Sequence, residues 1–401
     1  MFDAGWWAGV IVFIPLRYRI APERGLAAGP AELPSPVDLE VPEVATIKDV
    51  AREAGVSIAT VSRVFNESAQ VSPETERAVR EVASRLNYWP NGAARSLITN
   101  RTSTFGVLLP EMHGEFFSGV IRGLDVTARR EGFHLLVSSS HSDADELIAV
   151  LRSMRGRVDG LVVMAPDVDM PSTFRAWAGD VPIVLIDPPG PVEGYDSVSI
   201  ANFQGAHAMV RHLASLGHRR IATVTGPESN VDARQRLLGY RAALRAARIP
   251  RLPAYEIAGD FTEAAGDRAV EALLRLEPRP SAVFVGNDHM AVGVLRALAE
   301  AGVAVPDGLA VAGFDDIETA RYLSPPLTTV SVDRMELGAR ALQRLIDATR
   351  DPRPGHVNEV LPTRLVIRGS CGASYASAEL GGNGLPSLQL AARRALGRRR
   401  S

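Results

Sequence analysis

The 401-residue sequence predicts a small all-α helix-turn-helix headpiece followed by a two-lobed α/β core, with parallel sheets carrying helices on both faces. Three observations predict this architecture. Residues 44–66, VATIKDVAREAGVSIATVSRVFN, show helical periodicity on both sides of one glycine. From Thr104 onward, short apolar runs alternate with amphipathic segments of helix length, the mark of repeated β-α units. That pattern continues for about 270 residues, more than one core comfortably holds, so two similar lobes are expected.

Residues 1–43 are expected to be an extension, either disordered or upstream of the genuine start. Gly5–Leu16 is apolar but far short of the ~20 residues a membrane helix needs. A secretory signal wants a basic residue ahead of it, and only Asp3 is there. The Pro-, Ala- and Gly-rich stretch up to Glu43 reads as linker.

The headpiece is expected over 44–90. Thr46 is placed to cap a first helix, with Asp49 three residues on. Ile47, Val50, Ala51 and Ala54 form its apolar stripe, and Gly55 stops it. Ser57 caps a second helix whose inner face is Val61, Val64 and Phe65. Ile58, Ala59 and Arg63 point the other way. Such a second helix enters a DNA major groove, where Arg is the commonest bidentate reader of guanine. The other reading of the same residues is an ordinary αα-hairpin. Ser72-Pro73-Glu74 announces a third helix with Val79, Val82, Ala83 and Leu86 inward. Residues 91–103 follow as hinge and linker. Asn91 can cap a short helix carrying Ala93, Ala94, Arg95 and Leu97, too short to be stable alone.

The core is expected over 104–370. Strand candidates are Phe105–Pro110, His134–Ser139, Gly160–Met164, Ile183–Ile186, Ile221–Thr225, Ala254–Ala258, Ala282–Val285 and Leu309–Gly313. Helices Phe117–Arg130, Phe203–Leu216, Val231–Ala246, Thr262–Leu276 and Met290–Ala301 lie between them. Ligands of open α/β sheets bind beyond the strand carboxyl ends, which places a site in the cleft between the lobes. Residues 371–401 read as a disordered basic tail closing on Arg393, Arg394 and Arg398–Arg400.

Composition narrows the function. With 46% hydrophobic and 22% charged residues and a net charge of −2, the chain is no polybasic nucleic-acid coat. Val44–Arg101 carries eight Lys/Arg against six Asp/Glu, so DNA affinity would come from placement and dimerisation more than gross charge. The one cysteine, Cys371, rules out an internal disulfide and a Cys-cluster metal site and suits a reducing cytoplasm. No G-x-x-x-x-G-K-[ST] loop, G-x-S-x-G elbow or H-E-x-x-H pair occurs. No catalytic residue, metal or cofactor is therefore expected.

Five segments in order, TIKDVAREAGVSIATVSRVFN, NYWPNGAARSL, TSTFGVLLP, FVGNDHMAVG and VAGFDDIETARYLSPPLTTV, resemble the lactose-repressor (LacI/GalR) family of bacterial transcription regulators. The resemblance covers about Ala45 to Gly369. It implies a core similar to periplasmic sugar-binding proteins, a homodimer on a pseudo-palindromic double-stranded operator, and a small-molecule effector in the cleft, with no membrane partner. The lobes would be about 104–200 plus 333–357 and about 201–332 plus 358–370. The implied DNA-facing set is Ser57, Ile58, Ala59, Thr60 and Arg63, with Asn91, Arg95 and Leu97 in the hinge. Leu97 matches the leucine that family members wedge into the minor groove. The implied effector set is Phe116, Phe117, Asn230, Asp232, Arg236, Phe261, Asn287, Asp288 and Asp315. Aromatics with one arginine and several amides and carboxylates suit a sugar or polyol, and a purine would also stack. Two departures lie near the cleft. Ala201-Asn202 stands where the family often has Asp-Asn, and Asp187-Pro188-Pro189-Gly190 where a basic residue is frequent. A secreted sugar-binding protein shares the core, but leaves residues 44–101 without a role.

Overall fold

The computed structural model describes residues 10–12, 45–65, 71–89, 101–165, 181–190, 192–351 and 356–373. The chain divides into two compact units, one holding the headpiece and one holding the core. Within the N-terminal extension, β1 (Val10–Val12) forms a strand. The remainder of 1–44 and all of 374–401 lie outside the described residues, as do the hinge positions Asn91, Arg95 and Leu97.

The headpiece is a bundle of α1 (Ile47–Glu53), α2 (Ile58–Phe65) and α3 (Pro73–Arg85). Asp49 closes the start of α1, accepting from the Thr46 backbone N–H at 3.0 Å and the Thr46 hydroxyl at 2.7 Å. Gly55, at φ +68°, makes a turn that would strain a residue with a Cβ. Ser57 Oγ then accepts from the Thr60 N–H at 3.1 Å and starts α2. Val50, Ala51, Val61, Val64, Val79, Val82 and Ala83 bury together. A core this small is marginal by area alone. An edge-to-face contact of Phe65 with Tyr88 (5.8 Å between ring centroids) and an Arg85–Glu53 ion pair (2.9 Å) add to it.

In the core, β2 (Thr104–Leu109), α4 (Glu115–Arg130), β3 (His134–Ser139), α5 (Ala144–Met154), β4 (Gly160–Met164), β5 (Ile183–Ile186) and β6 (Asp196–Ile200) build a first lobe. The second lobe is α6 (Asn202–Ser215), β7 (Ile221–Val224), α7 (Val231–Ala246), β8 (Glu256–Ile257), α8 (Glu263–Arg275), β9 (Ala282–Val285), α9 (Asp288–Glu300) and β10 (Ala310–Ala312). After β11 (Thr329–Ser331), helix α10 (Arg334–Arg350) and β12 (Asn358–Leu361) return to the first lobe, and β13 (Arg364–Val366) pairs antiparallel with β11. The first sheet has the order β1-β3-β2-β4-β5-β6-β12 and the second β10-β9-β7-β8. In the second sheet every neighbour is parallel. Strands such as β4, β5, β7 and β9 are buried along their whole length, which is why they read as unbroken apolar runs.

Three expectations are corrected. The return to the second lobe falls after Leu361, not at 357/358. Strand β12 pairs in parallel with β6, from Asn358 opposite Ser197 to Leu361 opposite Ile200, and so covers backbone groups that β6 would otherwise leave unpaired. The strand expected over Ala254–Ala258 shortens to β8, because Pro253–Tyr255 turns in a 3-10 helix first. Cys371 is not tail: it is fully buried at the end of the 3-10 helix Gly369–Cys371. Helix α10 packs on α4 at backbone distance. A Cβ on Gly123 would lie 2.0 Å from the Met335 carbonyl oxygen, and one on Gly338 2.2 Å from that of Val120.

Candidate functional site: an exposed helix face and an inter-lobe cavity

On α2, burial of Val61 and Val64 dictates what the opposite side shows. Ile58, Ala59 and Arg63 are exposed and Thr60 is half-buried. Ile58 keeps 46% of its surface in water. The Ser57 hydroxyl is engaged by Thr60, whose own hydroxyl lies 2.9 Å away. The face therefore offers an aliphatic patch, a small residue and one long cationic fork.

The second feature lies between the core lobes. Residues just beyond the carboxyl ends of β2, β3, β7, β8, β9 and β10 converge on a cavity of about 290 Å³, where open α/β sheets place ligands. The first lobe lends Phe116 and Phe117, packed edge to face at 5.4 Å. The second lends Asn230, Asp232, Arg236, Phe261, Asn287 and Asp315. Eight of the nine expected effector residues thus line one space. The ninth, Asp288, does not. It is fully buried, its Oδ2 accepting from the Ile317 N–H at 3.0 Å and its Oδ1 from the Thr329 hydroxyl at 2.6 Å. Burial and the neighbouring Asp315 push its carboxyl well up. It ties α9 to the segments leaving the second lobe, a structural task for an acid at a helix start.

Arg236 organises the floor. Its Nε donates to Asn202 Oδ1 at 2.8 Å and its Nη1 to the Gly286 carbonyl at 2.7 Å. Its Nη2 stands 3.2 Å from Asp315 Oδ1. That approach makes an ion pair but is too poorly aligned for a hydrogen bond, so Oδ1 keeps an open acceptor direction. The guanidinium also lies 3.8 Å from the Phe314 ring centroid and 5.8 Å from that of Phe261. Asn202 Nδ2 donates to Asp232 Oδ1 at 2.9 Å, so one amide holds the arginine and an aspartate together. Burial pushes the Asp315 carboxyl up, against the pull of Arg236, Arg334 and His289.

Phe261 is fixed from two sides. Its backbone sits at φ +69°, its carbonyl accepts from Asn287 Nδ2 at 3.1 Å, and its ring lies over Gly226. A Cβ on Gly226 would meet that ring at 2.2 Å. Asp315 (φ 111°), Asp316 (φ 55°) and Asp187 (φ 46°) are strained as well, at a cost of order 1–3 kcal/mol each that tends to collect at ligand sites.

Residue-by-residue reading missed several members of the site. His113, Ser142, Met164 and His289 also line the cavity; Met164 ends a predicted strand and His289 lies in the FVGNDHMAVG segment, but nothing local marks any of the four as facing a ligand. Asn202 and Asp187 were named only within the two segments, Ala201-Asn202 and Asp187–Gly190, that depart from the family pattern. Asp187 follows β5 and is buried, its Oδ1 accepting from the Ile200 N–H at 2.7 Å and its Oδ2 left without a hydrogen bond. Burial, then the Asp232 charge, push its carboxyl well above the ordinary value. A raised folded-state value means stability present at low pH that is lost as pH rises past the unfolded value. Asp187→Asn should therefore raise the melting temperature at pH 8 while leaving it nearly unchanged near pH 4. Melting curves at both pH values check this, and an equal gain at both would disprove it.

A second device spans the cleft. Glu115, first residue of α4, accepts from the backbone N–H groups of Glu318 and Thr319 and from the Thr319 hydroxyl, on the 3-10 helix Glu318–Arg321. Partial burial pushes the Glu115 carboxyl up, but these donors and Arg334 hold it below its usual range. Glu115→Ala removes a tie between the first lobe and the 3-10 helix Glu318–Arg321. It should weaken effector binding about fivefold, as read by calorimetry. Unchanged affinity would make the tie incidental.

An exposed helix-turn-helix face on one unit and a cavity lined by aromatic and polar side chains between two parallel-sheet lobes on the other define a DNA-binding protein with a ligand-binding core. Comparison with known proteins carries the identification further. Residues 46–91 match the family described as bacterial regulatory proteins, lacI family, and residues 210–371 match a periplasmic binding protein-like domain. The ribose operon repressor of Escherichia coli (strain K12) is 38% identical over 330 residues, 82% of this chain and all of that protein. The lac repressor dimer, solved bound to operator and the anti-inducer ONPF, shares 31% identity at a TM-score of 0.75, covering 82% of this chain and 99% of that one. A LacI family regulator from Enterococcus faecium, solved with bound ribose, shares 28% identity at a TM-score of 0.60, covering 67% and 98%. The chain belongs to the lacI family of bacterial regulatory proteins: it is a DNA-binding transcription regulator, not an enzyme. No helix among the described residues is long and apolar enough to cross a membrane.

Proposed function

We propose that this chain is a cytoplasmic, homodimeric repressor that reads a pseudo-palindromic operator with two copies of α2 and is switched by a sugar held between the core lobes. The cavity carries this reading. Phe116, Phe117 and Phe261 offer ring faces to the carbon side of a sugar, and Arg236, Asn230, Asp232, Asn287 and Asp315 offer polar groups to its hydroxyls. Two of the relatives, a ribose operon repressor and a regulator with bound ribose, support the same effector class. The dimer on its operator supports the assembly.

On DNA, Arg63 reads a guanine edge while Ile58 and Ala59 make apolar contact with base edges, and Ser57 and Thr60 sit at the phosphate-facing end of α2. Asn91, Arg95 and Leu97 form the hinge segment, with Leu97 as the wedge that opens a base step. Effector and operator are coupled because each favours one arrangement of the two protomers. Such couplings run to about 1–3 kcal/mol.

The experiment is a mobility shift on the DNA upstream of the chain's own gene, with and without a panel of pentoses and hexoses. The reading expects a specific shift whose midpoint one sugar moves by about fivefold or more. A specific shift that only purine nucleosides move would replace the sugar by a base, and no shift on any upstream DNA would defeat the operator reading.

A further inference from the structure

The chain passes from the hinge segment into β2 through residues 101–103, and one carboxylate fixes that passage. Asp159 directly precedes β4 and is half-buried. Its Oδ1 accepts from the Thr102 N–H at 2.6 Å and the Thr102 hydroxyl at 2.8 Å, and its Oδ2 accepts from the Ser103 N–H at 2.8 Å. The Asp159 N–H donates to the Thr104 carbonyl at 2.8 Å. Two successive backbone N–H groups and a hydroxyl thus converge on one acid, the charge-assisted kind of hydrogen bond. Ser103 shows what these bonds hold. Its φ is +51°, a region that residues with a Cβ rarely adopt. Such a conformation persists only where its surroundings over-determine it, and here the carboxylate does so. Neither neighbouring fold needs the turn. The headpiece core closes within residues 47–88, and β2 begins after Ser103 and pairs with β4 from Phe105 opposite Gly160.

The acid stands on a firm base. Gly160, its neighbour in the chain, lies so close to α10 that a Cβ there would come within 2.9 Å of Leu345 Cδ1. At its other end α10 begins with Arg334, whose guanidinium donates to the Asp316 carbonyl at 3.1 Å, next to Asp315 of the cavity wall. One helix therefore runs from the edge of the cavity to the foot of β4. We propose that Asp159 is a positioning residue: by holding Ser103 at positive φ it sets the path on which the hinge segment leaves the first lobe, and so carries the state of that lobe to the DNA-gripping end. Without the carboxylate Ser103 returns to negative φ, and the chain before it leaves β2 in another direction. The proposal rests on residues 91–103 being the hinge of an operator-binding protein and goes beyond that reading by naming the group that aims the hinge.

Mobility shifts of the full chain test it, on the DNA upstream of its own gene and on unrelated DNA, under whichever condition of the sugar panel gives the native chain its tightest shift. Asp159→Ala should weaken specific binding about tenfold and leave binding to unrelated DNA unchanged. Adding Ser103→Gly to that variant should bring specific binding back to within about threefold of native, because glycine takes positive φ at no steric cost. Circular dichroism melting shows that each variant is folded at the assay temperature. Specific binding by Asp159→Ala equal to that of the native chain overturns the proposal, and so does an equal loss on both DNAs. A loss that Ser103→Gly leaves in place overturns it too, because the carboxylate would then support the fold and not the backbone path. A native chain that prefers no upstream sequence defeats the operator reading itself, and the proposal falls with it.

Discussion

Replacing Arg236 by Met is expected to cost the core about 3–5 kcal/mol of stability and to abolish effector binding. Arg236 is 5% exposed and forms an ion pair with Asp315, itself 5% exposed. Its removal strands a buried carboxylate beside Asp187 and Asp232 and frees Asn202 Oδ1 and the Gly286 carbonyl. The methionine would fill the volume beside Phe314 and Phe261 but return none of those donors. Denaturant titration measures the stability and calorimetry the binding. The double variant Arg236→Met with Asp315→Leu separates the two effects. It should recover much of the stability, since buried pairs replaced on both sides are often neutral, and recover no binding. A single variant that binds effector as tightly as the native chain would remove Arg236 from the site.

Arg63→Ala should weaken operator binding by about 1–3 kcal/mol and relax base preference at one position in each half-site. Arg63 is exposed on α2, apart from the Val61 and Val64 face that holds the headpiece together, so the headpiece melting temperature should not move. Mobility shifts against operator variants at fixed salt read the affinity and the preference together. A uniform loss across all sequences, with preference intact, would make Arg63 a phosphate contact.

The two results depend on features that were unequally legible in the sequence. Helix α7 spans Val231–Ala246, the range its periodicity predicts, and α2 turns Ile58, Ala59 and Arg63 outward as their spacing requires. Periodicity works there because the face a residue takes on a helix is set by neighbours three and four positions away. The cavity was legible in outline, since strand carboxyl ends announce where loops gather. Its wiring was not. Asp288 carries the same side chain as Asp315 and starts a helix beside the site, yet its carboxylate turns to Ile317 and Thr329.

Local order along the chain thus determined the headpiece, the alternation of strands and helices, and the places where a ligand would be met. Those properties follow from interactions within a few residues. Only the tertiary structure decided that β12 joins the first sheet beside β6, that Asn202 bridges Arg236 and Asp232, that Asp187 lies buried behind them, and that Asp288 faces inward. Each of these depends on which buried polar group finds a partner from a distant part of the chain. A donor 34 residues away, as Arg236 is from Asn202, leaves no periodic trace in the sequence.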